Sequence, residues 1–307
     1  MNARPHRHGF TLIELIVAIV LLGIIGSAFG MFILPAFQSY QAVARRAELV
    51  DSAESALRRM ARDIRISLPN SVRVTNTGTG FALEMIPTID GGRYCIDLTG
   101  NCTTVGASAV LDFTGVDTDF DILGCFRNAA LTGTPLTSTA YRLVIGNAGN
   151  EVYSGGAPTV ITPSGGSITF STVNGGGAGS GACGTSSTGN TFHRHHIAIA
   201  GGFAFGTPST RERVFVIETA AAPVSYVCDT STTPGTLKRY VNYAFDTVQP
   251  NPPGVAGRLV ANNLTACAVS TSTTVVQTVS LVTVDLSVSN SGETIRLIQQ
   301  VQLDNSI

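Results

Sequence analysis

The sequence predicts an α+β protein: one long amino-terminal α-helix, transmembrane in its first half, packed on a mainly antiparallel β-sheet head with long loops. Three observations predict this. Leu15 to Leu34 carry no charge. From Gln38 to Ser67 apolar residues recur at helical spacing, uninterrupted by Gly or Pro. Beyond Pro69 the chain breaks into short alternating or β-branched runs separated by Gly, Pro, Asn and Ser. A chain of 307 residues has room for one or two domains. Nothing after Pro69 marks a second independent domain, so the head reads as one unit with insertions.

The apolar run from Leu15 to Leu34 is long enough to cross a hydrocarbon core of about 30 Å as a helix. Arg4, His6, Arg7 and His8 precede it with no acid before Glu14, so the first residues stay cytoplasmic and the rest is exported. Arg45 and Arg46, beyond the run, weigh slightly the other way. An ordinary secretory signal would be shorter and end at a small-residue cleavage site. "GSAFG" at 26–30 imitates such a site, but the apolar run continues to Phe37 and Glu14 sits badly in a signal core. Pro35 can kink the helix where it leaves the membrane.

In the second half Val43, Ala47, Val50, Leu57, Met60 and Ile64 form one stripe that needs a sheet to cover it. Pro69 stops the helix, because the residue before a proline avoids the α region. Unbroken from Phe10 to Leu68, the helix would run about 90 Å.

Strands are predicted at 81–86, 109–113, 120–126, 140–145, 167–170, 195–200, 213–219, 238–245, 274–288 and 293–303. The last two read as a hairpin turned at "SNSG", 289–292. Residues 171–190, rich in Gly and Ser, read as a flexible loop.

A formal net charge of −1 leaves no electrostatic footprint for nucleic acid. Cys95, Cys102, Cys125, Cys183, Cys228 and Cys267 contain no C-x-x-C pair, which removes zinc-ribbon and thioredoxin-like readings. An even count beyond a membrane segment points to disulfides in an oxidising compartment. Fifteen pairings are open; the sequential one, Cys95–Cys102, Cys125–Cys183 and Cys228–Cys267, is expected because each bond would staple a loop.

Catalytic chemistry is not in view. "GAGSGA" at 177–182 fits a dinucleotide fingerprint only as a string, since no helix follows. "HRHH" at 193–196 puts His193 and His195 on one strand face and His196 on the other, without further ligands at metal spacing, and reads as a solvated edge strand. Asp117, Asp119 and Asp121 share one strand face but lack the glycine and bidentate glutamate of an EF-hand, and read as a solvated turn. Arg211, Arg213, Lys238 and Arg239, with Tyr240 and Tyr243 for stacking, are the candidates for a DNA-binding patch. No enzyme activity, cofactor or metal is expected.

"GFTLIELIVAIVLLGII", from Gly9, resembles the amino-terminal signature of type IV pilins and of the pseudopilins of type II secretion. The resemblance implies a pilin-like fold and a prepilin peptidase that cuts between Gly9 and Phe10 and methylates the new Phe10 amine. The implied organisation is a cleaved leader at 1–9, a transmembrane or filament-core helix at 10–37, an amphipathic helix at 38–68 and a β-rich periplasmic head at 69–307. It gives Glu14 a role as well. An ionised carboxylate beside lipid is costly, and the cationic amine of a neighbouring subunit favours its charged form. The implied partners are the inner membrane, other major and minor pilins and the pilus assembly platform. The localisation is a single-pass inner-membrane protein, its head periplasmic and at the cell surface after assembly. More loosely, "ISLPNSVRV" (66–74), "APVSYVCD" (222–229), "GTLKRYVNY" (235–243) and "QQVQLDN" (299–305) resemble minor pilins of the mannose-sensitive haemagglutinin (MSHA) pilus, of the MshO type. That likeness implies a subunit that initiates or tops a type IV pilus. A minor pseudopilin of type II secretion, and an adhesin or DNA-binding tip subunit, are the alternatives.

Overall fold

The computed structural model describes residues 10–97, 110–132, 135–149, 151–154, 159–174, 177–178, 194–220, 223–273 and 279–304. It has the predicted α+β, pilin-like architecture: one long helix laid on a curled antiparallel sheet. The helix, α1 (Leu12–Arg65), has 54 residues and so spans about 81 Å. It runs through Pro35 without interruption. Arg62 and Arg65 in its last turn suit the carbonyl end of the helix dipole. It stops at Arg65 rather than Leu68, because Ser67 instead bridges to Pro87 and the Leu68 N–H donates to the Ile86 carbonyl.

In chain order the strands are β1 (Arg73–Thr77), β2 (Gly80–Met85), β3 (Asp90–Arg93), β4 (Asp117–Asp121), β5 (Leu136–Ser138), β6 (Tyr141–Ile145), β7 (Ile168–Asn174) and β8 (Gly177–Ala178). They continue with β9 (Arg194–Phe203), β10 (Arg213–Glu218), β11 (Val224–Asp229), β12 (Gly235–Tyr240), β13 (Arg258–Thr273), β14 (Val279–Asn290) and β15 (Glu293–Asp304). Seven form the principal sheet in the order β1-β2-β11-β12-β13-β14-β15, each neighbour antiparallel. The closing hairpin turns through Ser291 (φ 51°) and Gly292 (φ 87°), the two left-handed residues of a tight hairpin turn.

α1 lies over β13, β14 and β15. Its buried seam is Leu49, Ala53, Ala56, Leu57, Met60, Ala61 and Ile64, against Phe81, Leu83, Tyr226, Val282, Val284 and Val301 of the sheet. The stripe read from the sequence is therefore right at Leu57, Met60 and Ile64 and wrong at its start: Val43 and Ala47 are exposed and Val50 half-buried. Periodicity gives a face; it does not say where the covering sheet begins.

The rest of the head forms two smaller sheets, β3-β10-β6 and β4-β9-β7-β5 with β8 on β7, around a separate core containing Tyr94, Phe120, Phe126, Phe170, Ile197 and Phe205. Several expectations fail here for local reasons. Residues 110–113 form no strand, and the strand expected at 120–126 ends at Asp121, ahead of Gly124 with φ 93°. The strand expected at 238–245 ends at Tyr240, ahead of Asn242 with φ 63°. Residues 171–174 belong to β7 rather than to a loop; 179–190, like 274–278 of the expected hairpin strand, lie outside the described residues.

Candidate functional site

The site begins where α1 begins. "TLIE" places a threonine at the N-cap and a glutamate three residues on, a capping box. The Glu14 N–H donates to Thr11 Oγ1 at 3.3 Å, while the Thr11 N–H and hydroxyl donate to Glu14 Oε2 at 3.4 and 3.3 Å. Both contacts fall on one carboxylate oxygen, so Oε1 is left for an outside donor among the described residues. The signal for Thr11 lies in the sequence as the threonine of a T-x-x-E box, a capping pattern independent of the glutamate's charge. Phe10 is 81% exposed beside it, and Gly9 lies outside the described residues.

No described side chain of α1 before Leu49 is buried, although this stretch is the most apolar of the molecule. It is the one described helix long and apolar enough to cross a membrane. The exposed face and the Glu14 carboxylate thus form one continuous surface, greasy along its length and acidic at its tip.

Further along, α1 is tied to the sheet by a polar clasp. Tyr226 donates its hydroxyl to Asp63 Oδ2 at 2.7 Å, and Arg239 Nε donates to the same oxygen at 2.9 Å. Burial, before the nearby Asp63 charge, pushes the Tyr226 hydroxyl far above its ordinary value. The clasp corrects one reading. Arg239 was a candidate for nucleic acid, but its guanidinium is committed to Asp63, and Tyr243 is engaged with Ser225 at 2.6 Å. Arg211 and Arg213 lie beside and at the start of β10, in a different sheet from Lys238 and Arg239 of β12.

Two more acids are buried. Glu84, fully buried, faces Arg73 across β1 and β2, with Arg73 Nη2 at 2.7 Å, yet burial outweighs that cation and holds its pKa above the ordinary value. Asp121 accepts from Arg194 Nη2 at 2.6 Å and meets His196 Nδ1 at 2.7 Å. "DTDFD" is therefore the strand β4, with its last acid buried in an ion pair, and not a solvated turn. Nor is the histidine run an edge: β9 lies between β4 and β7. His195 is fully buried, stacks on Phe126 and accepts the Phe126 N–H at Nδ1 (2.8 Å); burial lowers its pKa. The hydrogen bond to Asp121 raises that of His196. No group of three metal-ligating side chains occurs among the described residues.

A disulfide joins Cys228 of β11 to Cys267 of β13, their Cα atoms 6.6 Å apart. Cys95 and Cys125 are also disulfide-bonded, while Cys102 and Cys183 lie outside the described residues.

Residues 4–30 match the family model of the prokaryotic N-terminal methylation motif. No curated protein and no solved structure matches the chain. Motif and apolar helix together indicate a type IV pilin-like or pseudopilin protein, a structural class of membrane-anchored subunit processed by a prepilin peptidase and assembled with other pilins.

Proposed function

We propose that this chain is a minor pilin of a type IV pilus, of the MSHA kind, acting as an initiating or tip-complex subunit. The leader 1–9 is removed between Gly9 and Phe10, and the Phe10 amine is methylated. Residues 10–37 anchor the chain in the inner membrane and then enter the filament core, 38–68 join that helix to the sheet, and 69–307 form the exported head. Glu14 receives the amine of an adjacent subunit at its unengaged oxygen, which sets the axial register between helices. The observation that carries the reading is the helix that opens on the methylation motif, with a first half that has no buried side chain among the described residues.

Mass spectrometry of the mature chain tests it directly. The expected product starts at methylated Phe10, and Gly9→Val should accumulate the full-length precursor. A normally processed Gly9→Val chain would overturn the peptidase assignment. The motif serves pseudopilins equally, so a minor subunit of a type II secretion system is the second reading; deletion then removes secreted enzymes and spares surface filaments. The extra sheets with their own aromatic core keep a tip adhesin in view, while the commitment of Arg239 argues against DNA as its ligand.

A further inference from the structure

Among the described residues two arginines are more than nine-tenths buried, and one of them has no acid. Arg194, 7% exposed, is paired with Asp121. Arg142 of β6, 8% exposed, donates through Nε to the Thr162 carbonyl at 2.6 Å and lies over the Phe245 ring, 5.3 Å from its centre. Its two Nη groups meet no acceptor and its charge meets no carboxylate among the described residues. The residues outside that set include no Asp or Glu, so no acidic side chain is held in reserve. Burial lowers the Arg142 pKa to about 10, with no neighbouring charge to offset it, and the group is still a cation at neutral pH. A buried cation is costly without a partner. Arg73 shows the contrast, since it lies over Tyr153 at 3.8 Å in the same manner but is paired with Glu84.

A second polar group on this face is also unsatisfied. Arg142 pairs with Ile217 across β6 and β10, and the Thr219 N–H donates to the Ala140 carbonyl at 2.8 Å. Opposed residues share a sheet face, so Thr219 is the diagonal neighbour of Arg142, within reach of a long side chain. Its Oγ1 is enclosed and has no hydrogen-bond partner among the described residues.

We infer that Arg142 and Thr219 form a binding site for a carboxylate supplied from outside the chain. The two free Nη groups of the guanidinium donate to the carboxylate oxygens, and the Thr219 hydroxyl adds a third donor. A planar fork suits a planar carboxylate, which it can hold by two parallel hydrogen bonds. The fork is set in advance, because the Thr162 carbonyl fixes Nε and the Phe245 ring fixes its plane. The part of Arg142 that stays exposed is the way in. A free small organic acid and the acidic group of a sugar acid present the same chemistry to these donors. The site belongs to the head and is independent of how the amino terminus is processed.

The test titrates the full-length protein, in detergent and in a buffer without carboxylates, with acetate, glucuronate and glucose by calorimetry. Both acids should bind and glucose should not. Tighter binding of glucuronate than of acetate assigns the carboxylate to a sugar acid; equal binding assigns it to a small free acid. Arg142→Gln keeps a donor for the Thr162 carbonyl and removes the charge, and should weaken acetate by at least about tenfold. Thr219→Val, close to the same shape, should weaken it about threefold. Thermal unfolding supplies a second reading. Arg142→Gln should unfold no lower than wild type in the absence of acid, and acetate should raise the wild-type midpoint alone. Wild-type protein that binds neither acid overturns the site, and so does acetate binding that survives both substitutions. A lowered midpoint for Arg142→Gln, with acetate acting equally on both proteins, would leave Arg142 serving only the fold. Each of these failures leaves the processing and membrane anchoring of the chain untouched.

Discussion

The two halves of α1 are continuous in backbone and opposite in environment. From Leu12 to Glu48 no described side chain is buried; from Leu49 to Ile64 a seam of seven residues is closed off by the sheet. From Leu15 to Phe37 the helix is uncharged and apolar on every face, while from Leu49 it is apolar along one stripe. Apolar content says only that a helix needs an apolar surrounding, while its distribution says whether lipid, another subunit or its own domain supplies it. The bare half is therefore incomplete alone, and the clasped half is part of a folded head.

The largest effect that sharpens the contrast is a cavity. Met60→Ala, fully buried in the seam, should cost about 2–5 kcal/mol of head stability, whereas Leu22→Ala, 68% exposed, should change it by less than about 0.5 kcal/mol. Denaturant unfolding of the full chain in detergent, followed by near-UV circular dichroism, compares them. Equal losses would mean that the bare half is packed on the head after all.

Next comes the clasp. Asp63→Ala strands the Arg239 guanidinium and the Tyr226 hydroxyl and should cost about 1–3 kcal/mol. Glu54→Ala, which breaks the exposed pair with Arg58, should cost less than about 0.5 kcal/mol by the same assay. If the two variants unfold alike, the clasp does not fasten the helix.

What the sequence announced and what it hid follow the same division. α1, the final hairpin and β9 were legible because their apolar residues keep one period, and β6 and β10 because they are short apolar, largely β-branched runs. β13, the longest strand, was not: its buried Ala261, Leu264 and Val269 are separated by odd numbers of residues, and register shifts interrupt its pairing with β12 and β14. Bulges of this kind erase the two-residue alternation that a reader looks for. β11 hid for another reason, since its first five residues are all buried and show no polar face. Burial of His195 and pairing of Asp121 with Arg194 depend on strands distant in sequence, which local spacing does not reveal.

A smaller effect is a dependence on pH, confined to the head. His196 is held above its ordinary pKa by Asp121, so its contribution to stability is complete below the unfolded value and is lost as pH rises through the folded one. His195, lowered by burial, acts in the opposite sense and loses its contribution as pH falls. His196→Asn should therefore destabilise the chain more at about pH 5.5 than at about pH 8.5, judged by the unfolding midpoint against wild type. A loss of equal size at both values would detach the histidine from Asp121.

The smallest expected effect on the head, none, separates two roles of the first helical turn. Thr11→Ala removes the side-chain cap, a loss of about 1 kcal/mol that frays only the end of α1, and it leaves the residue-11 backbone N–H as the one donor from this turn to Glu14 Oε2. Glu14→Gln keeps an acceptor for the cap and removes the charge. If Glu14 serves another subunit's amine, Thr11→Ala should preserve co-purification with other pilins while Glu14→Gln diminishes it, both chains being processed and inserted normally. The reverse order would mean that capping is what this turn supplies. The carboxylate would then belong to its own helix, and the register between neighbours would have to be set elsewhere on the surface of α1.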